Sequence, residues 1–338
     1  MKIYLAPMEG ITTYIYRNAY HKYYGGIDTY YTPFVANRRL KSRELREVLP
    51  ENNTALPLVP QILTNQADIF LEIAKQLKDM GYYEVNFNLG CPSGTVVAKG
   101  RGAGFLNDPG KLEKFLDIIY DKSPLPISIK TRLGIESLLE WEDLLKMYAK
   151  FPIRELIIHA RTLSQQYTGK PSIEAFKMAQ DMLSCPLCYN GDITDVTSFN
   201  NLLKSCPDTT AVMLGRGAIS NPELPLIISK PNFNSGQISP SSISHDETDI
   251  NNISENKDNS MDNSFDYKRF VLFHDELLAG YKDYMSGEQP VLYKMKELWT
   301  FWSMHFNIDK KTLKKIKKVQ SINAYQSIVK TLHLTSNC

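Results

Sequence analysis

The sequence predicts an α/β chain: a (β/α)8 TIM barrel over residues 1–231, followed by a small C-terminal all-α helical bundle over 266–338. Three observations predict it. Eight short apolar or β-branched runs alternate with helical patterns in the first 231 of 338 residues, about 29 residues per unit and close to the ~250 that such a barrel needs. Seven of the eight runs end beside polar residues of the kind that ring a barrel mouth. The composition then breaks at 232–265, a stretch rich in Ser, Asn and Asp whose acids face the single Lys257, before amphipathic patterning returns.

The strand runs are Lys2–Ala6, Thr29–Val35, Pro57–Ile62, Tyr83–Asn88, Pro126–Lys130, Glu155–His159, Pro186–Asn190 and Ala211–Leu214. Between them, Ile69, Ile73, Ala74, Leu77 and Met80 share a helical face, and Gly81 supplies a C-terminal stop. Asn107 or Asp108 ahead of Pro109 opens a helix that buries Leu112, Phe115, Leu116 and Ile119. Phe176 and Ala179, then Val196, Phe199, Leu202 and Leu203, repeat the theme. An open doubly wound sheet fits less well, because no GxGxxG follows the first strand. Residues 232–265 bury too little apolar surface to offset their ordering entropy, so a flexible linker or insertion is expected there. Beyond it, Phe270, Phe273, His274, Leu277, Leu278 and Tyr281 recur at helical spacing, as do Leu292, Met295, Trp299, Trp302 and Phe306. Ile322, Tyr325, Ile328, Val329 and Leu332 suggest a further helix.

Composition narrows the class. With 43% hydrophobic and 22% charged residues, the chain can bury a substantial core without disulfides. No apolar run approaches the ~18 residues of a spanning helix, and no secretory leader is visible. Five cysteines suit a reducing compartment. A soluble cytoplasmic protein without a membrane segment is expected, and net charge +2 says little about partners.

The polar strand ends carry the chemistry. Met8 and Glu9, Gln61, Asn88, Lys130, His159, Asn190 and Gly215-Arg216-Gly217 would ring one mouth, where barrel active sites sit. Taken singly, Gln61 or His159 could be an ordinary rim residue. Lys130, at the end of a buried strand, calls for a negative partner. Asn190-Gly191-Asp192 and Gly215-Arg216-Gly217 suggest a phosphate cradle, aided by the N-termini of the helices that follow. Cys91 lies on a Gly- and Ser-rich loop, placed as a nucleophile or an acid. Cys185 and Cys188 have CxxC spacing but no second ligand pair, and read as core; no metal site is expected. Lys294, Lys296 and the run from Lys310 to Lys318 charge the bundle surface, for phosphate contact or as a solvated face.

Together these residues resemble one family. LAPMEGIT (5–12), the Gln61 strand, NFNLGCPSGTVVAKGRGAGFL (86–106), SIKTRLG (128–134), HARTLSQQYTG (159–169), NGDI (190–193) and MLGRGA (213–218) are similar, in order, to the tRNA-dihydrouridine synthases. The resemblance spans about residues 3–220. It implies an FMN-binding barrel, a helical tRNA-binding domain, and reduction of particular tRNA uridines using NADPH. It further implies that Pro7, Met8, Gln61, Lys130, His159, Asn190, Asp192, Gly215 and Arg216 hold FMN. Cys91 would be the general acid, Asn88 and Arg161 would contact the flavin or the flipped uracil, and Tyr167 would line the RNA path. Three positions depart from the family pattern: Asn86, where Asp is frequent, Gly94, where Lys is common, and Tyr189, usually smaller. Lys99 and Arg101 could replace the lost phosphate contact at Gly94. A monomer acting on tRNA is expected. The alternatives are an FMN-dependent barrel oxidoreductase acting on a free small molecule such as a pyrimidine, and an idle RNA-binding barrel.

Overall fold

A computed structural model describes residues 1–230, 265–306 and 308–332. Its strands are β1 (Lys2–Leu5), β2 (Thr29–Tyr31), β3 (Leu58–Val59), β4 (Gln61–Ile62), β5 (Val85–Leu89), β6 (Ile127–Arg132), β7 (Leu156–His159), β8 (Leu187–Asn190) and β9 (Ala211–Leu214). Neighbours run parallel in the order β3-β2-β1-β9-β8-β7-β6-β5-β4. The nine strands are the eight predicted runs, because Pro60, which lacks an N–H, divides one of them. Before it, β3 pairs with β2; after it, β4 pairs with β5, and a bridge between Val35 and Ile62 joins the two sides. The barrel is therefore nearly closed.

Helices cover the outside. Ala67–Asp79 buries Phe70, Ile73, Ala74 and Leu77, and chain reversal follows at Gly81 with φ +93°. Pro109–Lys122 starts at Asp108, whose carboxylate accepts the Lys111 N–H, and buries the four residues its spacing predicts. Each such side chain contributes about 1.5–3 kcal/mol by leaving water. Strand residues alternate: Ile3 and Leu5 join this outer core, while Tyr4, Ala6, Tyr31, Ile157, Cys188 and Met213 form a separate buried cluster on the other face. That cluster fills the barrel below its mouth. Cys188 is fully buried, as its reading as core requires, and Cys185 is half-buried.

Helices Tyr267–Tyr284, Glu288–His305, Lys310–Lys318 and Ile322–Lys330 complete the described chain. The lysine run forms a helix of its own, capped by Asp309. Phe273 packs edge-on against Tyr16 and Tyr20 of the barrel helix Tyr14–Tyr23 and against Tyr24, which caps that helix, at centroid distances of 5.6, 6.2 and 5.3 Å. Trp299 and Trp302 are buried in the apolar seam, and Tyr325 Oη accepts the Trp299 indole N–H at 2.7 Å. Of the expected linker 232–265, only Phe265 falls within the described residues. No helix among the described residues is long and apolar enough to cross a membrane.

Candidate active site

The C-terminal ends of the strands open into a two-lobed cavity. One lobe, about 320 Å³, lies against Asn190–Thr194 and the Gly215–Gly217 turn. The other, about 510 Å³, lies beside Gln61, Asn88 and Cys91. Pro7, Met8, Lys130, His159 and Tyr167 line both. These sizes suit a small molecule or cofactor.

Below Cys91 runs a buried chain of amides. Asn86 Nδ2 donates to Ser128 Oγ (3.0 Å), and Asn86 Oδ1 accepts from Gln61 Nε2 (2.7 Å). Gln61 Oε1 accepts from Asn88 Nδ2 (2.6 Å), and Asn88 Oδ1 accepts the backbone N–H groups of Gly90 (3.0 Å) and Cys91 (2.9 Å). The loop carrying the thiol is thus fixed from inside the barrel. It is fixed from outside by Gly102, whose φ of +56° and lack of a Cβ matter, since an added Cβ would lie 2.9 Å from the Cys91 carbonyl oxygen. Burial pushes the Cys91 thiol up from its ordinary range, and the Ser93 backbone N–H and the charges of Lys130 and Arg132 offset this only in part. At neutral pH it is a thiol, not a thiolate.

The other wall is cationic. Lys130 Nζ donates to Asn190 Oδ1 at 2.9 Å, and Asn190 Nδ2 donates to the Met213 carbonyl. The expected negative partner is therefore a neutral amide. Burial, then the charge of Arg132, brings the Lys130 ammonium down to about 8. His159 is held well below its usual value by burial and by Lys130, Arg132, Arg161 and Arg216, so its imidazole is neutral. Asp192 bridges two guanidiniums, Arg161 (3.1 and 2.5 Å) and Arg216 (2.7 Å). Burial alone would raise its carboxyl, but the arginines outweigh it and hold it low.

Several sequence expectations change here. Arg161 is fully buried, bonded to Asp192 and to the Thr168 and Gly169 carbonyls, and does not line the cavity. It braces the Tyr167 loop from behind. The phosphate cradle narrows to one turn. The helix Val196–Ser205 is capped by its own Asp195 carboxylate at the Ser198 N–H (2.7 Å), so its N-terminus faces a negative charge. The helix Arg216–Ser220 instead starts at Gly215 with no side-chain cap. Gly217 must lack a side chain, because a Cβ would sit 2.1 Å from the Ile193 carbonyl oxygen. Lys99 is exposed and Arg101 half-buried beside the Cys91 loop, both outside the cavity lining. Lys294 and Lys296, expected at phosphates, donate to the carbonyls of Gly10 (2.6 Å) and Val319 (2.6 Å).

Residues 4–264 match the sequence family described as dihydrouridine synthase (Dus). The chain belongs to the dihydrouridine synthase family. Among similar proteins is one from Staphylococcus epidermidis (strain ATCC 12228) named a probable tRNA-dihydrouridine synthase. It is 32% identical over 229 residues, covering 64% of this chain and 69% of that protein. One from Rhodobacter capsulatus with the same name is 29% identical over 229 residues, covering 65% and 68%. Among solved structures, histamine dehydrogenase from Rhizobium sp. 4-9 superposes with TM-score 0.51 at 11% identity, covering 69% of this chain and 46% of that chain. That likeness concerns the barrel fold alone.

Two residues at the site of this dihydrouridine synthase family member escaped the sequence reading. Arg132 donates to the carbonyls of Gly90 (2.9 Å), Thr162 (2.8 Å) and Gln166 (2.9 Å), tying the Cys91 loop to the Tyr167 loop. Its signal was present: two residues after Lys130 on one strand, it shares that face. The Tyr167 ring lies 5.6 Å from its guanidinium and 5.0 Å from that of Arg216. The other is Phe301, which lines the smaller lobe from the C-terminal helices; nothing in the local sequence marks it.

Proposed function

We propose that this chain is a tRNA-dihydrouridine synthase that binds FMN at the barrel mouth and reduces the C5–C6 double bond of tRNA uridines at the expense of NADPH. Family membership and the relatives' names support the substrate. The observation that carries the chemistry is the Cys91 thiol lining the same cavity as Lys130 and Arg132, with burial favouring its protonated form.

The residues fit FMN. Lys130 offers an ammonium with only a neutral partner, Gln61 and His159 offer polar edges, and the uncapped Gly215–Gly217 turn with Arg216 suits a phosphate. Pro7, Met8, Asn190 and Asp192 complete that lining, Asp192 by orienting Arg216. Once reduced by NADPH, FMN would supply the hydride that uracil receives at C6. Cys91 gives its proton to C5, and burial keeps that proton in place until then. Asn88 holds the Cys91 N–H and so aims the thiol. The target base leaves the RNA stack to reach the cavity, and Tyr167, half-exposed at the mouth, walls its entry.

On this reading residues 1–231 are the catalytic domain, 232–265 a linker and 266–338 the tRNA-binding domain. Lys310, Lys311, Lys314, Lys315, Lys317 and Lys318 are exposed on one short helix and meet RNA phosphates. Lys99 and Arg101 do so beside the Cys91 loop. A tRNA substrate implies the cytoplasm, and one chain suffices for the site.

The purified protein is expected to be yellow, and tRNA from a strain lacking the gene to lose dihydrouridine. Cys91→Ala should keep FMN and tRNA binding while product formation falls about 10²–10⁴-fold. Near-normal turnover in that variant removes the acid assignment. Unchanged dihydrouridine in the deletion strain removes the substrate.

A further inference from the structure

We propose that the helix Glu288–His305 is the outer wall of the cofactor cavity, fastened by Lys294 and Phe301, so that cofactor retention and docking of the C-terminal helices form one coupled equilibrium. The inference rests on the reading that the cavity holds FMN.

Two contacts carry it. Among the described residues of the C-terminal helices, Phe301 alone lines the cavity, in the lobe bounded by Gly215, Arg216 and Gly217. The same helix packs along Arg216–Ser220, the element that begins at that turn. Seven residues earlier, about two turns and ~10 Å along the axis, Lys294 Nζ donates to the Gly10 carbonyl at 2.6 Å. Gly10 lies in the Met8–Thr12 turn, where Met8 N–H donates to Thr12 Oγ1, and Pro7 and Met8 line both lobes. One helix therefore lines the cavity at Phe301 and, through Lys294, holds the turn that follows the lining residues Pro7 and Met8. Lys294 has the partners of a strap: a carbonyl at one side and the Glu297 carboxylate at 3.2 Å on the other, with its side chain only 25% exposed.

The coupling follows from linkage. A ligand that gains contact with Phe301 stabilises the docked helix by the free energy that docking adds to its binding. The barrel mouth is thus complete only with the helices in place.

The test uses the full chain stripped of cofactor and titrated with FMN, binding being read by quenching of flavin fluorescence. Phe301→Ala should raise the dissociation constant about tenfold, and Lys294→Met about threefold. Met304→Ala, on the same helix but 65% exposed, should leave it unchanged. In the unsubstituted chain, FMN should slow amide exchange across Val291–Trp302, and Phe301→Ala should abolish that slowing. Should Phe301→Ala not fold, Phe301→Leu carries the same test with a smaller, about threefold, effect. A dissociation constant within error of the unsubstituted chain, or exchange in the helix indifferent to FMN, overturns the coupling and leaves the proposed function standing. Failure of the unsubstituted chain to bind FMN overturns both.

Discussion

Replacing Lys130 by Met should stabilise the cofactor-free protein while weakening its hold on FMN. The ammonium is buried against one neutral oxygen, Asn190 Oδ1, and its acidity has moved from 10.5 to about 8. Each unit corresponds to 1.36 kcal/mol, so the upper bound on the cost of the charge is about 3 kcal/mol. Water in the open cavity reduces this to about 2. The sign follows from proton uptake. Between pH 8 and 10.5 the unfolded chain holds the Lys130 proton and the folded chain does not, so this residue's contribution to stability rises with pH across that window. Below pH 8 both states are charged and the full penalty stands. Urea unfolding should therefore show Lys130→Met more stable by about 2 kcal/mol at pH 7, with the gap below about 1 kcal/mol at pH 9.5. FMN affinity should fall at least about tenfold, since a charge that costs stability without ligand is then lost to the ligand. A variant that is less stable at pH 7, or a gap that does not change with pH, would refute the account of this wall.

Four further outcomes are expected. Alkylation of Cys91 by iodoacetamide should be slow at pH 7 and still be rising with pH where the rate of an ordinary exposed cysteine has levelled off, because burial holds the thiol protonated; a rate already maximal at pH 7 contradicts the acid role. Gly217→Ala should lower stability by about 2 kcal/mol or more and abolish FMN binding, because its Cβ meets the Ile193 carbonyl oxygen at 2.1 Å; normal FMN affinity would mean that the turn yields. Neutralising Lys311 and Lys315 together should reduce the salt dependence of tRNA affinity by about two counterions. Lys296→Ala should instead lower the melting temperature with little change in that slope, since its ammonium is bonded to Val319.

The barrel was legible because its information is local. Short apolar or β-branched runs mark all eight strand segments, and period-3.6 patterns mark the buried faces of Ala67–Asp79 and Pro109–Lys122. The strand end at Lys130 was placed too early. A basic residue ordinarily marks the end of a buried strand, but β6 continues to Arg132 because both cations point into a polar mouth rather than an apolar interior. Asp195 illustrates a signal that was readable and competed with another. Asp-x-x-Ser is a capping box, and the cap occupies the helix N-terminus that the neighbouring glycine turn had suggested for an anion.

What was not legible depends on partners far along the chain. Charge alone makes Lys294 and Lys296 look like surface groups, yet Gly10 lies 284 residues away from the first, and the second closes the end of a neighbouring helix. Arg161 looked like a substrate ligand by position; only the folded chain shows its donors spent on Asp192 and two carbonyls. These cases share a cause. The mouth gathers Lys130, Arg132, Arg161 and Arg216 around His159; of its carboxylates, Asp192 bridges Arg161 and Arg216 while Glu9 pairs with Arg43, leaving an excess of positive charge that no packing requirement explains and that folding alone would select against. The arginines recover part of the cost through backbone carbonyls and Asp192; Lys130 does not. A bound anion on that wall would supply the missing charge, and for this reason the residue least favourable to the empty barrel is the one on which the cofactor assignment most depends.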